Sequence, residues 1–216
     1  MQIEAAIFDM DGLLIDSEPY WQEAGKETLL AFEKTLTTEM YHSSTGLRTE
    51  EWIEHWFHYF GISETYKEHA VNMIIQKAIE KIDLHAQLMP GAKEIIEEMQ
   101  QHMKVGIATS SPMKLVEVVL PKLGLSKDPD VVCSAEALPY GKPHPQVYIN
   151  CADDLGVSPL RCLAFEDSFN GMLAAKAARM KCVVVPTKED YDAPKWVIAD
   201  YKISTLEVFE LSALTN

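Results

Sequence analysis

The sequence predicts an α/β fold: a doubly wound parallel sheet with a small all-helical cap inserted after its first strand. Three observations predict it. Ile3 to Phe8 is a short apolar run that stops at Asp9-Met10-Asp11-Gly12, as a buried strand entering a tight loop does. From Ser17 to about Leu84 the chain is polar and helical, rich in Glu, His, Trp and Tyr, with no strand pattern. Beyond Pro90-Gly91, strand and helix patterns alternate to the end, which implies parallel strands covered on both faces.

The elements follow in order. Ala92–Met103 reads as a helix and Lys104–Ala108 as a strand. Pro112–Leu123 is a helix closed by Gly124, and Asp130–Cys133 a short strand. Pro145–Leu155 is a helix closed by Gly156, and glycine after the last periodic residue is a helix stop. Cys162–Phe165 is a strand, Gly171–Ala178 a helix and Cys182–Val185 a strand. Tyr201–Ile203 reads as a last short strand followed by a helix. The expected domains are a core of residues 1–16 and 85–216 and a helical cap of residues 17–84. No internal repeat is visible.

Composition narrows the function. The 216 residues carry a formal net charge of -14 with no basic cluster, which disfavours nucleic acid and anionic lipid as partners. Such a surface also repels phosphate esters. A phosphate site would need a cation, a lysine or helix N-termini. Cys133, Cys151, Cys162 and Cys182 form no C-x-x-C pair and no zinc spacing. They read as reduced core thiols of a cytoplasmic protein; the protein is expected to be a monomer. The N-terminus reads as a strand rather than a signal peptide, and no run is long enough to span a membrane.

In doubly wound sheets, ligands bind where the strands end. The four strand ends here carry Asp9-Met10-Asp11-Gly12, Thr109-Ser110-Ser111, Gly141-Lys142-Pro143 and Glu166-Asp167-Ser168. Two carboxylate clusters in one crevice call for a cation, and hard oxygen ligands suit Mg²⁺. One carboxylate can attack phosphorus. Another, two residues on, can protonate a leaving oxygen. Thr109 and Ser110 can hold phosphate oxygens, and Lys142 can neutralise charge.

These runs carry a resemblance. FDMDGLLIDSE, IATSS, GKPHPQVY and FEDSFNG resemble, in order, the four motifs of the haloacid dehalogenase superfamily. The insert position matches the cap of its beta-phosphoglucomutase-like subfamily. The resemblance implies a Rossmann-like core and a phosphatase acting on a small phosphorylated metabolite, such as 2-deoxyglucose 6-phosphate or a hexitol or hexose phosphate. It implies that Asp9 is the nucleophile and Asp11 the acid/base. Substrate contacts would come from Asp9, Met10, Asp11, Thr109, Ser110, Lys142 and Arg48. The metal would be Mg²⁺, with Mn²⁺ or Co²⁺ as substitutes, held by Asp9, Asp11 through its carbonyl, Asp167 and Glu166. Asp11 also points away from the superfamily's dehalogenases, which lack that acid.

A sugar phosphomutase is the alternative reading. The mutases keep a histidine in the first cap helix, and the matching position here is Trp21. A non-catalytic protein on a degenerate fold is disfavoured, because all four motifs are intact. Within the cap, Thr45-Gly46-Leu47-Arg48 forms a loop between helical stretches. There Arg48 is expected to bind the sugar or its phosphate as a forked donor. Glu18, Trp21 and Trp52 are further specificity candidates. His55, His58 and His69 read as surface residues, not metal ligands.

Overall fold

The computed structural model describes residues 2–44 and 46–212. Among them, six parallel strands form one sheet: β1 (Ala5–Phe8), β2 (Lys104–Thr109), β3 (Val131–Ser134), β4 (Cys162–Glu166), β5 (Lys181–Val184) and β6 (Tyr201–Lys202). Their order is β3-β2-β1-β4-β5-β6. The first strand is therefore central and pairs with β2 and β4.

Alternation along the strands builds two cores. Ala6, Phe8, Val105, Ile107, Leu163 and Phe165 point to one face. Ile95, Ile96 and Met99 of α5 (Ala92–His102) cover it, with Leu115, Val116 and Val119 of α6 (Met113–Leu123). Phe8 and Phe165 stack across β1 and β4 with centroids 4.6 Å apart. Each such buried ring contributes roughly 2 kcal/mol of hydrophobic stabilisation. Ala5, Ile7, Cys162, Ala164 and Cys182 point to the other face. There they meet α7 (Gln146–Leu155) and α8 (Phe169–Ala177). Gly124 and Gly156 end α6 and α7 in the left-handed conformation, as their positions predicted.

Between β1 and β2 lie α1 (Glu18–Leu30), α2 (Thr38–His42), α3 (Thr49–Phe60) and α4 (Lys67–His85). No strand is found among the described residues of this segment. The chain enters and leaves it side by side. Asp16 N–H donates to Gln87 O at 2.9 Å, and Met89 N–H donates to Leu14 O at 3.0 Å.

Two element expectations are corrected. The helix expected from Gly171 begins at Phe169, because the Ser168 hydroxyl accepts from Gly171 N–H and caps it a turn's start earlier. Among the described residues after the last strand, a 3₁₀ turn at Leu206–Val208 stands in place of the expected helix. Among the described residues, no helix is long and apolar enough to cross a membrane.

Candidate active site

Phe8 is level with Ile107 on β2 and with Phe165 on β4. The residues that follow on these three strands therefore emerge together at one edge of the sheet. They are Asp9, Thr109-Ser110-Ser111 and Glu166-Asp167.

Lys142 ties them. It lies in the loop after β3, buried, and its Nζ donates to Asp9 Oδ1 and Glu166 Oε1, both at 2.6 Å, and to Ala108 O at 2.9 Å. Burial works against its charge, but the Asp9 and Glu166 carboxylates outweigh burial and hold it cationic beyond the ordinary lysine range. Glu166 is wholly buried, with both oxygens occupied. Oε1 also accepts from Tyr148 Oη at 2.5 Å, and Oε2 accepts from Ser168 Oγ at 3.1 Å and Ser168 N–H at 3.4 Å.

Asp11 is held by four donors. Ser17 Oγ at 2.7 Å and Trp21 Nε1 at 2.9 Å reach Oδ1. Ser111 Oγ at 2.7 Å and Thr109 Oγ1 at 3.5 Å reach Oδ2. Gly12 follows in the left-handed region at φ 74°, and a Cβ there would lie 2.1 Å from Asp167 Oδ2. Only glycine lets the two loops approach this closely.

Carboxylates outnumber cations here. Asp9, Glu166 and Asp167 each offer an oxygen, all within 4.8 Å of one another. Burial first, then Glu166 and Asp11, push Asp9 up to about 8 despite Lys142. Burial, with Asp9 and Glu166, raises Asp167 well above the carboxylate range. Asp167 Oδ1 is buried with no hydrogen-bond partner. An orphaned carboxylate oxygen beside two further carboxylates fits a hard divalent cation. Ser110 Oγ is likewise buried and unpartnered.

A cavity opens above this edge. Asp9, Asp11, Thr109, Ser110, Lys142 and Asp167 line it from the sheet side, and Glu18, Trp21, Tyr41 and Trp52 from the inserted helices. Glu18 Oε2 accepts from Tyr41 Oη at 3.1 Å.

Residues 3–179 match the family of haloacid dehalogenase-like hydrolases. The chain belongs to that family. The hydrolase is 42% identical over 207 residues to hexitol phosphatase B of Escherichia coli K12, covering 95% of this chain and 93% of that protein. It is 31% identical over 180 residues to the phosphorylated carbohydrates phosphatase of Thermotoga maritima, covering 82% of each. Beta-phosphoglucomutase from Clostridium difficile shares the fold, with a TM-score of 0.88 at 23% identity over 99% of this chain and 96% of that one. Within its family the hydrolase groups with phosphatases.

The residues expected from the sequence sort into three groups. Asp9, Asp11, Thr109, Ser110, Lys142 and Asp167 meet at the cavity. Glu166 lies beneath it, its oxygens bonded to protein groups. Met10 and Arg48 are not among the cavity's lining. The Met10 side chain is buried in the apolar core, and its carbonyl accepts from Leu14 and Ile15. Arg48 Nη1 donates to the carbonyls of Ala135 at 3.2 Å, Glu136 at 3.4 Å and Leu138. Carbonyls in the loop after β3 thus take Nη1 of the arginine expected to meet a sugar. Thr45 of the same loop lies outside the described residues. His55, His58 and His69 are exposed.

Sequence reasoning gave no role to Ser17, Ser111, Tyr41 or Tyr148. Ser17, Ser111 and Tyr148 lie within the motif runs. Tyr148 sits six residues after Lys142, one turn into α7, where its hydroxyl reaches Glu166. Nothing in the sequence marks Tyr41 as the partner of Glu18, 23 positions earlier.

Proposed function

We propose that the hydrolase removes phosphate from small sugar phosphates of the 2-deoxyglucose 6-phosphate, hexitol and hexose type, through an aspartyl phosphate on Asp9. One observation carries the reading. Asp9 and Asp11 line a single cavity, the first paired with Lys142 and the second held by four donors. A carboxylate fixed by a buried ammonium is positioned to attack, and one fixed two residues away is positioned to move a proton.

In the proposed cycle, an Asp9 oxygen attacks phosphorus while Asp11 gives its proton to the departing sugar oxygen. Asp11 then takes a proton from water, and that water cleaves the acyl phosphate. Lys142 balances charge at Asp9, and Thr109 and Ser110 hold phosphoryl oxygens. Asp9, the Asp11 carbonyl and Asp167 would hold Mg²⁺, with Glu166 orienting Lys142 from below. When bound, the cation supplies charge neutralisation for the phosphoryl group.

Residues 17–84 would act as a cap over a core of 1–16 and 85–216, closing to exclude bulk water. The paired incoming and outgoing segments support such a hinge. We place the enzyme in the cytoplasm as a monomer. Its four cysteines are free, and three are buried. The mutase alternative is not favoured, since the indole of Trp21 can donate a hydrogen bond to Asp11 but cannot carry a proton.

The test is phosphate release from a panel of hexitol, hexose and 2-deoxyhexose phosphates, with Mg²⁺ or EDTA, beside Asp9→Asn. Metal-dependent release that Asp9→Asn abolishes is expected. An Asp9→Asn protein with full activity would overturn the reading.

A further inference from the structure

The inserted segment contributes nine residues to the cavity lining, and Glu18 is the one charged side chain among those described. Arg48, between the lining residues Leu47 and Thr49, is committed to three carbonyls and to the carboxylates of Glu50 and Glu51 at 3.6 and 3.7 Å. The one lysine of the lining, Lys142, is held between Asp9 and Glu166 at the opposite wall. An anionic group entering the helical side therefore meets a carboxyl and no counter-charge. In a partly desolvated cavity, that is strongly unfavourable.

The same wall is well made for hydroxyls. Glu18 and Tyr41 form a bonded acceptor and donor pair. Trp52 borders the cavity, and its buried indole N–H has no hydrogen-bond partner, a donor that a ligand oxygen would satisfy. The rings of Trp21 and Trp52 add apolar surface for the C–H faces of a carbon chain. Burial, then Asp11, pushes Glu18 up to about 7. Near neutrality it can accept from a hydroxyl or donate to one, and in neither form does it bring a positive charge to balance an anion.

We propose that Glu18, Tyr41 and Trp52 form a subsite for an uncharged, polyhydroxylated alcohol, and that it rejects substrates with a second anionic group at that end. This rests on the phosphatase reading and deepens it. The excluded class comprises sugar bisphosphates and phosphorylated sugar acids.

The experiment compares hexitol 6-phosphate, hexitol 1,6-bisphosphate and gluconate 6-phosphate, which share a six-carbon chain and differ in the charge of the far end. The Mg²⁺-loaded enzyme is expected to show kcat/KM at least tenfold lower for the two charged compounds. Glu18→Gln should narrow that gap at least threefold by raising turnover of the charged compounds, an effect that loss of structure alone would not produce. Should that variant fail to fold, Tyr41→Phe should lower kcat/KM for hexitol 6-phosphate more than for gluconate 6-phosphate. Calorimetric binding of the same three compounds to Asp9→Asn gives the selectivity independently of turnover. Equal affinities there, or kcat/KM values within twofold, would overturn the subsite. Loss of all turnover with selective binding intact would instead sink the phosphatase reading and leave the subsite standing.

Discussion

Trp21 Nε1 donates to Asp11 Oδ1 at 2.9 Å, so a helix of the insert grips the carboxylate that follows the first strand. A hydrogen bond to a charged group contributes about 1.5–3 kcal/mol. Ser17 bonds to the same oxygen at 2.7 Å, which places the loss at the low end. Trp21→Phe should lower kcat/KM for a good sugar phosphate about tenfold, since ~1.4 kcal/mol is a factor of ten. Unchanged kinetics would mean that Ser17, Ser111 and Thr109 suffice to orient Asp11.

Proton and cation compete for the carboxylate cluster. In the metal-free protein, Asp9 sits at about 8 and Asp167 is also raised, while both return to ordinary carboxylate values on unfolding. Between those limits the folded state binds more protons than the unfolded state. The contribution of Asp9 and Asp167 to metal-free stability therefore falls as pH rises from about 4 toward 8. Bound Mg²⁺ replaces those protons. The gap in Tm between Mg²⁺-loaded and EDTA-treated protein should widen from pH 5 to pH 8, as read by thermal denaturation. A gap independent of pH would contradict the raised carboxylates.

Three glycines separate strain from collision. A Cβ added to Gly61, at φ 66°, would meet nothing within 4 Å, so Gly61→Ala should cost only the left-handed penalty of about 1–2 kcal/mol. A Cβ on Gly171 would meet the Glu166 carboxylate at 2.0 Å without a positive φ. Gly12 carries both burdens, φ 74° and Asp167 Oδ2 at 2.1 Å. Chemical denaturation should rank Gly12→Ala as the most destabilised, by roughly 3 kcal/mol or more. Activity should survive only in Gly61→Ala.

Arg48 and Glu51 fasten the start of α3 to the core. Besides the Arg48 contacts, Glu51 Oε1 accepts from Gly141 N–H at 2.9 Å, one residue before Lys142. Arg48→Ala frees three carbonyls and this corner of the insert. Limited proteolysis should then cut near residues 14–17 and 84–90 several times faster, and KM should rise more than kcat falls. Identical digestion patterns would show that the corner holds without Arg48.

Local signals carried most of this fold. The apolar run into Asp9, the glycine stops at Gly124 and Gly156 and the alternation after Gly91 each reflect constraints that act within a few residues. The strand-end rule gathered Asp9, Thr109, Ser110, Lys142 and Asp167 because parallel topology makes strand ends converge. Contacts decided by three-dimensional approach were beyond it. Arg48 chose carbonyls 87 to 90 residues away over the cavity. Tyr148 found Glu166 by facing inward from a helix. Met10 sits between Asp9 and Asp11, which line the cavity, yet strand-like alternation turns its side chain into the core.

The central place of β1 bears on how the chain is made. Ala5 pairs with Lys104 on one side and Cys162 on the other. During synthesis β1 therefore waits about a hundred residues for one neighbour and longer for the second. Such long-range pairing slows folding, because loop closure is entropically costly before any strand contact rewards it. The inserted helices, whose contacts are nearer in sequence, can close on themselves meanwhile. The strand that leads into Asp9 would then be synthesised before both of its neighbours and secured late, leaving the nascent chain dependent on whatever shields that segment until β4 arrives.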